Sequence, residues 1–374
     1  MEKGHTSTGL RGQTAGTTEL CTVGQSGTGL TYRGYDIVDL AGNAEFEEVA
    51  HLLLRGHLPN LAELEQYKQT LRRHRGLPKV LKGVLENIPA DAHPMDVLRT
   101  SCSVLGNLEQ ESDFSQQVNH VERMLSIFPA AVCYWYKYTH DGVRIDTEDL
   151  AEDGIAGYFL SMLSGSKPSD LFKQVMNCSL ILYAEHEFNA STFAARVCAS
   201  TLSDIHSCVT AAIGTLRGNL HGGANEAAMA MIKDWQTPDE AERNILDMLV
   251  RKEKIMGFGH AIYKEFDPRN DLIKQWSEKL SKHVGDDHLY AVSERVEAVM
   301  KREKGLFCNA DFFHASAYHF MDIPTKLFTP IFVMSRVTGW AAHVFEQRAN
   351  NRIIRPSAEY IGPELQTWVS IEKR

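Results

Sequence analysis

The absences in this sequence narrow it first. No stretch approaches the roughly 18 apolar residues that a membrane-spanning helix needs. The nearest candidate, Leu327 to Phe345, is interrupted by Pro330 and Arg336. Paired-cysteine motifs are missing too: seven cysteines, an odd number with no CxxC, make neither a disulfide framework nor a zinc site. There is no basic excess. Against 48 Asp and Glu stand 39 Lys and Arg, a formal net charge of −9, which speaks against capture of nucleic acid or an anionic membrane. The first twenty residues hold Gly, Thr and Ser but no apolar run, so no signal peptide is expected. Strand signals are scarce beyond Thr31-Tyr32-Arg33. The expected compartment is a reducing cytoplasm.

What is present is the mix of a soluble globular protein, 43% hydrophobic and 23% charged over 374 residues. That length exceeds what one hydrophobic core supports, so two domains, or one with a large insert, are expected. Residues 1–34 suggest an irregular arm punctuated by Gly4, Gly9, Gly12, Gly16, Gly24, Gly27, Gly29 and Gly34. Beyond it the periodicity is helical. Glu45 to Arg55 predicts a helix stopped by Gly56, and Asn60 caps another that ends near Arg75. Val121 to Tyr138, the stretch from Ser169 to Ala184, and small-residue-rich Phe193 to Leu216 predict further helices. Thr237-Pro-Asp-Glu240 has the order of a helix start, and Asp271 to Lys282 and Ser293 to Lys301 are amphipathic. The fold class expected is mostly α.

Histidines and arginines flanked by small residues carry the chemical signal, because small neighbours let a ligand approach the backbone. In Leu216-Arg-Gly-Asn-Leu-His-Gly-Gly-Ala-Asn-Glu226, His221 precedes a helix start. The dipole there disfavours a cation, and a neutral imidazole can donate to a developing oxyanion; a plain Gly-rich connection is the bland alternative. In Lys254-Ile-Met-Gly-Phe-Gly-His-Ala-Ile-Tyr-Lys264, Gly257 and Gly259 free N–H groups for an anion beside His260. Arg269 can fork onto a substrate carboxylate or simply pair with Asp267. In Ala184-Glu-His-Glu-Phe-Asn-Ala-Ser-Thr192, Ala190 stands where HExxH requires its second His, so zinc chemistry is unsupported. His186 is either a substrate-binding cation or part of a polar helix end. Arg336 lies among Val333, Val337 and Trp340, costly for a helix unless it meets an anion or an ion-pair partner. Arg355 sits in Ile353-Ile-Arg-Pro-Ser357. Asp311, in Asn309-Ala-Asp-Phe-Phe313, is a helix cap or a base sharpened by apolar surroundings.

Together these segments resemble the citrate synthase family from about Gly16 to Gly362. The matching text also includes Tyr32-Arg-Gly-Tyr-Asp36, Phe46-Glu-Glu-Val-Ala-His51 and His93-Pro-Met-Asp96. The resemblance implies an all-α, two-domain fold, with a small domain of 222–317 inserted between 1–221 and 318–374. It implies His221, His260 and Asp311 as the catalytic triad and His186, Arg269, Arg336 and Arg355 as oxaloacetate ligands. Coenzyme A would bind around Lys254, Ile255, Met256, Gly257 and Phe258. It implies a homodimer in which Arg355 reaches the neighbouring site, and no metal or other cofactor beyond the acyl-CoA substrate. Leu20-Cys-Thr-Val-Gly24, Thr338-Gly-Trp-Ala-Ala-His343 and Arg355-Pro-Ser357 are similar to the branch of the family that uses propionyl-CoA, with acetyl-CoA also accepted. A metal-dependent hydrolase lacks a ligand motif here, and a non-catalytic helical protein leaves the histidine and arginine segments without a purpose.

Overall fold

The computed structural model describes residues 9–10, 12–24, 29–148 and 150–374. Gly4 and Gly27 of the N-terminal arm lie outside them. Among the described residues the chain forms sixteen α-helices and one small sheet, and no helix is long and apolar enough to cross a membrane.

The arm departs from the expectation of irregularity. Strands β1 (Cys21–Val23), β2 (Leu30–Tyr32) and β3 (Tyr35–Asp36) pair antiparallel in that order. Two or three residues are too few to show an alternating pattern in sequence. The sheet still has a use. Tyr32 is fully buried, and its hydroxyl donates to the carbonyls of Ile181 (3.0 Å) and Glu185 (3.1 Å). It thereby staples the end of a helix that leads into His186.

The helices are α1 (Ile37–Asn43), α2 (Phe46–Arg55), α3 (Leu61–Arg73), α4 (Lys79–Glu86), α5 (Pro94–Leu108), α6 (Gln117–Tyr136), α7 (Ile155–Ser164) and α8 (Asp170–Tyr183). They continue with α9 (Ala190–Ser200), α10 (Ile205–Leu216), α11 (Ala224–Ile232), α12 (Pro238–Val250), α13 (Pro268–Val284), α14 (Asp287–Lys304), α15 (Ala310–Phe320) and α16 (Phe328–Ala349). The expected signals set many ends. Gly56 closes α2 with φ +91°, and the side chains of Asn60, Ser169 and Thr237 accept from N3 amides of α3, α8 and α12. Pro129 lies inside α6, and α14 starts earlier than its amphipathic pattern does.

Phe193 to Leu216 is not one helix. It divides into α9 and α10, with Leu202 at φ +64° and Asp204 capping α10 through the Ser207 N–H. The small residues that suggested a single close-packed helix instead let α9 and α10 pack on each other. Helix α16 is the centre of the structure, packing on α2, α5, α6, α8, α9 and α10. The apolar stretch from Leu327 to Phe345 is this core helix. Helices α11 to α15 pack chiefly on one another, and α13 and α15 also meet α8. The chain after Ala349 runs extended and largely exposed.

Two helical glycines give opposite expectations. A Cβ on Gly339 of α16 would lie 2.1 Å from Glu185 Oε2 and 2.4 Å from the Ala184 carbonyl oxygen, whereas one on Gly83 of α4 meets nothing within 4 Å. Gly83→Ala should therefore stabilise by about 0.5–1 kcal/mol. Gly339→Ala should destabilise by about 2–3 kcal/mol despite the better helix former. Denaturant midpoints of the two variants check the pair of signs.

Candidate active site

His221 sits in the turn between α10 and α11. Its N–H bonds the Gly218 carbonyl at 2.9 Å, and the Gly222 N–H bonds the Leu216 carbonyl at 2.9 Å. Gly222 is required, since a Cβ there would lie 2.6 Å from the Leu216 oxygen. The imidazole reaches the start of α9: Nε2 accepts the Ser191 N–H (3.2 Å) and lies 2.8 Å from Ser191 Oγ. Trp340 Nε1 donates to the same hydroxyl oxygen at 3.0 Å. An amide N–H can only donate, so Nε2 is unprotonated and the ring proton is on Nδ1. Burial, then the charge of Arg336, lowers the His221 pKa to about 4. At neutral pH it is an uncharged N–H donor.

His260 holds the opposite tautomer. Its Nδ1 accepts the N–H groups of Ile262 (3.1 Å) and Tyr263 (3.2 Å), leaving Nε2 protonated. Burial and then Arg269 bring its pKa down to about 4. The backbone before it pairs with the segment leading into α15. Gly259 donates to Phe307 O at 2.8 Å, Asn309 donates to Gly257 O at 2.9 Å, and Phe258 bridges Cys308. The expectation of an anion-binding N–H at Gly259 is thus corrected, because that group is spent on Phe307. Gly257, at φ +87°, has no room for a side chain against Phe312. In the segment expected to meet coenzyme A, Lys254 is exposed, Ile255 and Gly257 are buried, and Met256 and Phe258 are half-buried. The Phe258 ring packs on Phe312 at 4.7 Å.

His186 faces His260, their ring centroids 5.0 Å apart, with Nε2 3.2 Å from the Tyr263 hydroxyl. It is not a standing cation. Burial, then Arg269 and His260, hold its pKa well below the ordinary value. The flanking Glu185 does not offset this, because its carboxylate takes a 2.7 Å bond from His343 Nε2. His186 is a neutral hydrogen-bonding group in the substrate-free protein.

Three arginines were expected here, and the structure treats them differently. Arg336 is 1% exposed. Its Nε donates to the Tyr183 carbonyl (2.7 Å), its guanidinium lies 4.6 Å from the Phe332 ring centroid, and it makes no ion pair among the described residues. The Glu185 carboxylate acts on it electrostatically but not as a contact pair, and a buried guanidinium with no carboxylate in contact is a strong anion receptor. Arg269 does pair with Asp267, Nε to Oδ1 at 2.9 Å and Nη2 to Oδ2 at 2.7 Å. That reading excludes the fork from substrate but leaves Nη1 without a hydrogen bond among the described residues. Arg355 is not brought to this site; it lies exposed in the extended tail.

Asp311 occupies the first turn of α15, whose cap is Asn309 rather than Asp311. Burial raises its pKa, and the hydrogen bond from Tyr183 partly opposes that shift. Tyr183 donates to Oδ1 at 2.7 Å. Arg269 and Arg336 both act electrostatically on Asp311 and His186, and Arg336 on His221, so the residues expected as a triad and two of the expected arginines share one region. Sequence reasoning missed Tyr183, which hydrogen-bonds the Asp311 carboxylate, and Ser191, which sets the His221 tautomer. Ser191 lay inside a quoted motif, and Tyr183 is the residue just before Ala184-Glu-His186. Among the described residues no cluster of three His, Cys, Asp or Glu side chains could hold a metal ion.

Comparison with known proteins agrees with this geometry. The family model for citrate synthase, C-terminal domain, matches residues 9–357. A 2-methylcitrate synthase of Shewanella oneidensis is 65% identical over 99% of this chain and 98% of its own length. A citrate/2-methylcitrate synthase of Bacillus subtilis is 40% identical over 98% of this chain and 99% of its own. Among solved structures, citrate synthase from Thermoplasma acidophilum, in a ternary complex with carboxymethyl coenzyme A and oxaloacetate, superposes with a TM-score of 0.90 at 31% identity, covering 98% of both chains. Matched along nearly its whole length in sequence and in fold, the chain belongs to the citrate synthase family.

Proposed function

We propose that the protein is a 2-methylcitrate synthase: it condenses propionyl-CoA with oxaloacetate and water to give 2-methylcitrate and coenzyme A, and accepts acetyl-CoA less well. The observation that carries the chemistry is the pair of neutral histidines, held in opposite tautomers beside a carboxylate base and a buried arginine with no carboxylate in contact among the described residues. The 65% identical relative named 2-methylcitrate synthase supports the propionyl preference.

Asp311 removes a proton from the carbon next to the thioester carbonyl. Tyr183 occupies Oδ1, so Oδ2 is the oxygen left for that proton. His221 donates from Nδ1–H to the thioester oxygen as negative charge develops there. The enol carbon attacks the ketone of oxaloacetate, and His260 Nε2–H protonates the oxygen that becomes the hydroxyl. Arg336, Nη1 of Arg269 and His186 receive the two carboxylates. Water then attacks the thioester carbonyl and coenzyme A leaves as the thiol. No residue in this sequence of steps needs a metal. Lys254 to Phe258 line the coenzyme A approach beside α15.

An enolate must be shielded from water. We assign residues 222–317 to a smaller domain, inserted between 1–221 and 318–374, that closes over oxaloacetate. The mutual packing of α11 to α15 supports this. We also assign a homodimer. The tail leaves Ile353, Tyr360, Ile361, Leu365, Trp368 and Ile371 in solvent, an apolar string suited to cover by a second copy, and Arg355 on it would complete the neighbouring site. Seven unbridged cysteines suit a reducing cytoplasm.

Three outcomes are expected. With oxaloacetate saturating and thiol release as the readout, kcat/KM for propionyl-CoA should exceed that for acetyl-CoA by on the order of 10-fold, the scale of one methylene in a fitted pocket; a ratio below one would make the protein a citrate synthase. Because His221 and His260 protonate only near about 4, neither should add an acid limb at the ordinary histidine value; kcat should decline on the acid side as Asp311 loses its base form through a raised pKa. Two limbs above about pH 5, one of them at the ordinary histidine value, would refute the neutral-donor assignment. Asp311→Asn should lose about 10²–10⁴-fold in kcat, and Arg355→Leu should also be impaired. Differently tagged chains of the two variants, co-purified as heterodimers, should regain activity, since one site then has both an intact Asp311 and an intact Arg355. No recovery would place Arg355 in its own chain's site.

A further inference from the structure

Asp267 is used more heavily than a helix cap requires. Its side chain is buried, and it caps α13 by accepting the Arg269 N–H on Oδ1 at 3.1 Å. Oδ1 also accepts Arg269 Nε, and Oδ2 accepts Arg269 Nη2. The fourth donor comes from another element: the Ala310 N–H, 3.1 Å from Oδ2. Ala310 opens α15 and immediately precedes Asp311. Its N–H is one of those a helix start leaves without an internal partner. Asn309 Oδ1 meets the Asp311 N–H and Asp267 meets the Ala310 N–H.

One carboxylate therefore holds both a guanidinium that receives substrate and the helix start that carries the base. We propose that Asp267 is a positioning residue that locks the oxaloacetate clamp Arg269 and the base Asp311 into a single frame. The proposal rests on the roles given to Arg269 and Asp311 above. It adds a physical link between recognition of one substrate and deprotonation of the other. Asn cannot replace Asp here. It offers one acceptor oxygen, and its amide nitrogen would confront an N–H donor from either Arg269 or Ala310. The remaining arginine would be buried beside a neutral partner. Ser can still cap α13 but reaches neither the fork nor Ala310.

The test uses the full-length enzyme with thiol release as the readout. Wild-type turnover of oxaloacetate and propionyl-CoA is established first; its absence would defeat the functional reading and not this one. Asp267→Asn, with Asp267→Ser as the variant that keeps a cap should Asn fail to fold, should raise KM for oxaloacetate about 10-fold. It should lower kcat by about 10²-fold, the cost of a misplacement near 1 Å, with KM for propionyl-CoA unchanged. The groups acting on Asp311 are Tyr183 from α8, Arg269 and Asp267 from the start of α13, and Arg336 from α16. Among them Asp267 raises the Asp311 pKa, so its neutralisation should also move the acid limb of kcat to lower pH. A variant with a lower melting temperature but normal kcat, KM and pH limb would reduce Asp267 to a cap and overturn the proposal. The same holds if the kcat loss vanishes when Asp267→Asn is made in an Arg269→Gln background, because Asp267 would then act on the arginine alone. A kcat loss that persists there supports the link to Ala310 and the base.

Discussion

Positive charge crowded into a volume that excludes water is the constraint on which this site depends. Arg336 has a carbonyl and an aromatic face in contact and feels the Glu185 carboxylate only at a distance, with no ion pair among the described residues, and Arg269 shares its fork with Asp267. Any further cation nearby is penalised twice, by lost hydration and by repulsion. Three histidines in the same region are consequently neutral. Neutrality makes each tautomer matter, and the backbone decides it. The Ser191 amide fixes His221, and the Ile262 and Tyr263 amides fix His260. A charge imbalance that would be a defect in an ordinary core is here the condition for two aimed N–H donors.

The surrounding architecture serves that placement. The Tyr32 hydroxyl ties the small sheet to the turn carrying His186. Gly339 gives the Glu185 carboxylate space against α16, and Glu185 bonds His343 instead of its sequence neighbour. Phe307 to Asn309 pair with Gly257 to Gly259, so the His260 loop and the helix of Asp311 are joined by backbone hydrogen bonds. These contacts are between residues far apart in the chain, and each converts fold into aim.

Much of this was legible in the sequence where the signal is local. Asn60, Ser169 and Thr237 announced helix starts, and Gly56 a helix stop, because capping is decided within four residues. His221, His260 and Asp311 stood out through their small or aromatic neighbours and the order of their motifs. What was not legible depends on partners distant in sequence. The charge of His186 is set by burial and then by Arg269, His260 and Arg336, not by the two glutamates beside it. Gly259 looked available until Phe307 arrived to take its N–H. The break between α9 and α10 was hidden because small residues suit a helix interior and a tight helix pair alike. Strands as short as β1 to β3 leave no period to read.

The extended tail carries a consequence for the lifetime of the enzyme. Exposed chain outside helices and strands is where proteases cut first, and Arg352 and Ile353 are exposed just before Arg355. A single nick there would leave the sixteen helices of the described residues in place. Such a molecule would pass every measure of foldedness and yet have shed the arginine proposed to reach the neighbouring site. Pairing with a second copy would therefore protect the tail as well as complete the site, and the survival of Arg355 in a cell would depend on how little time the chain spends alone.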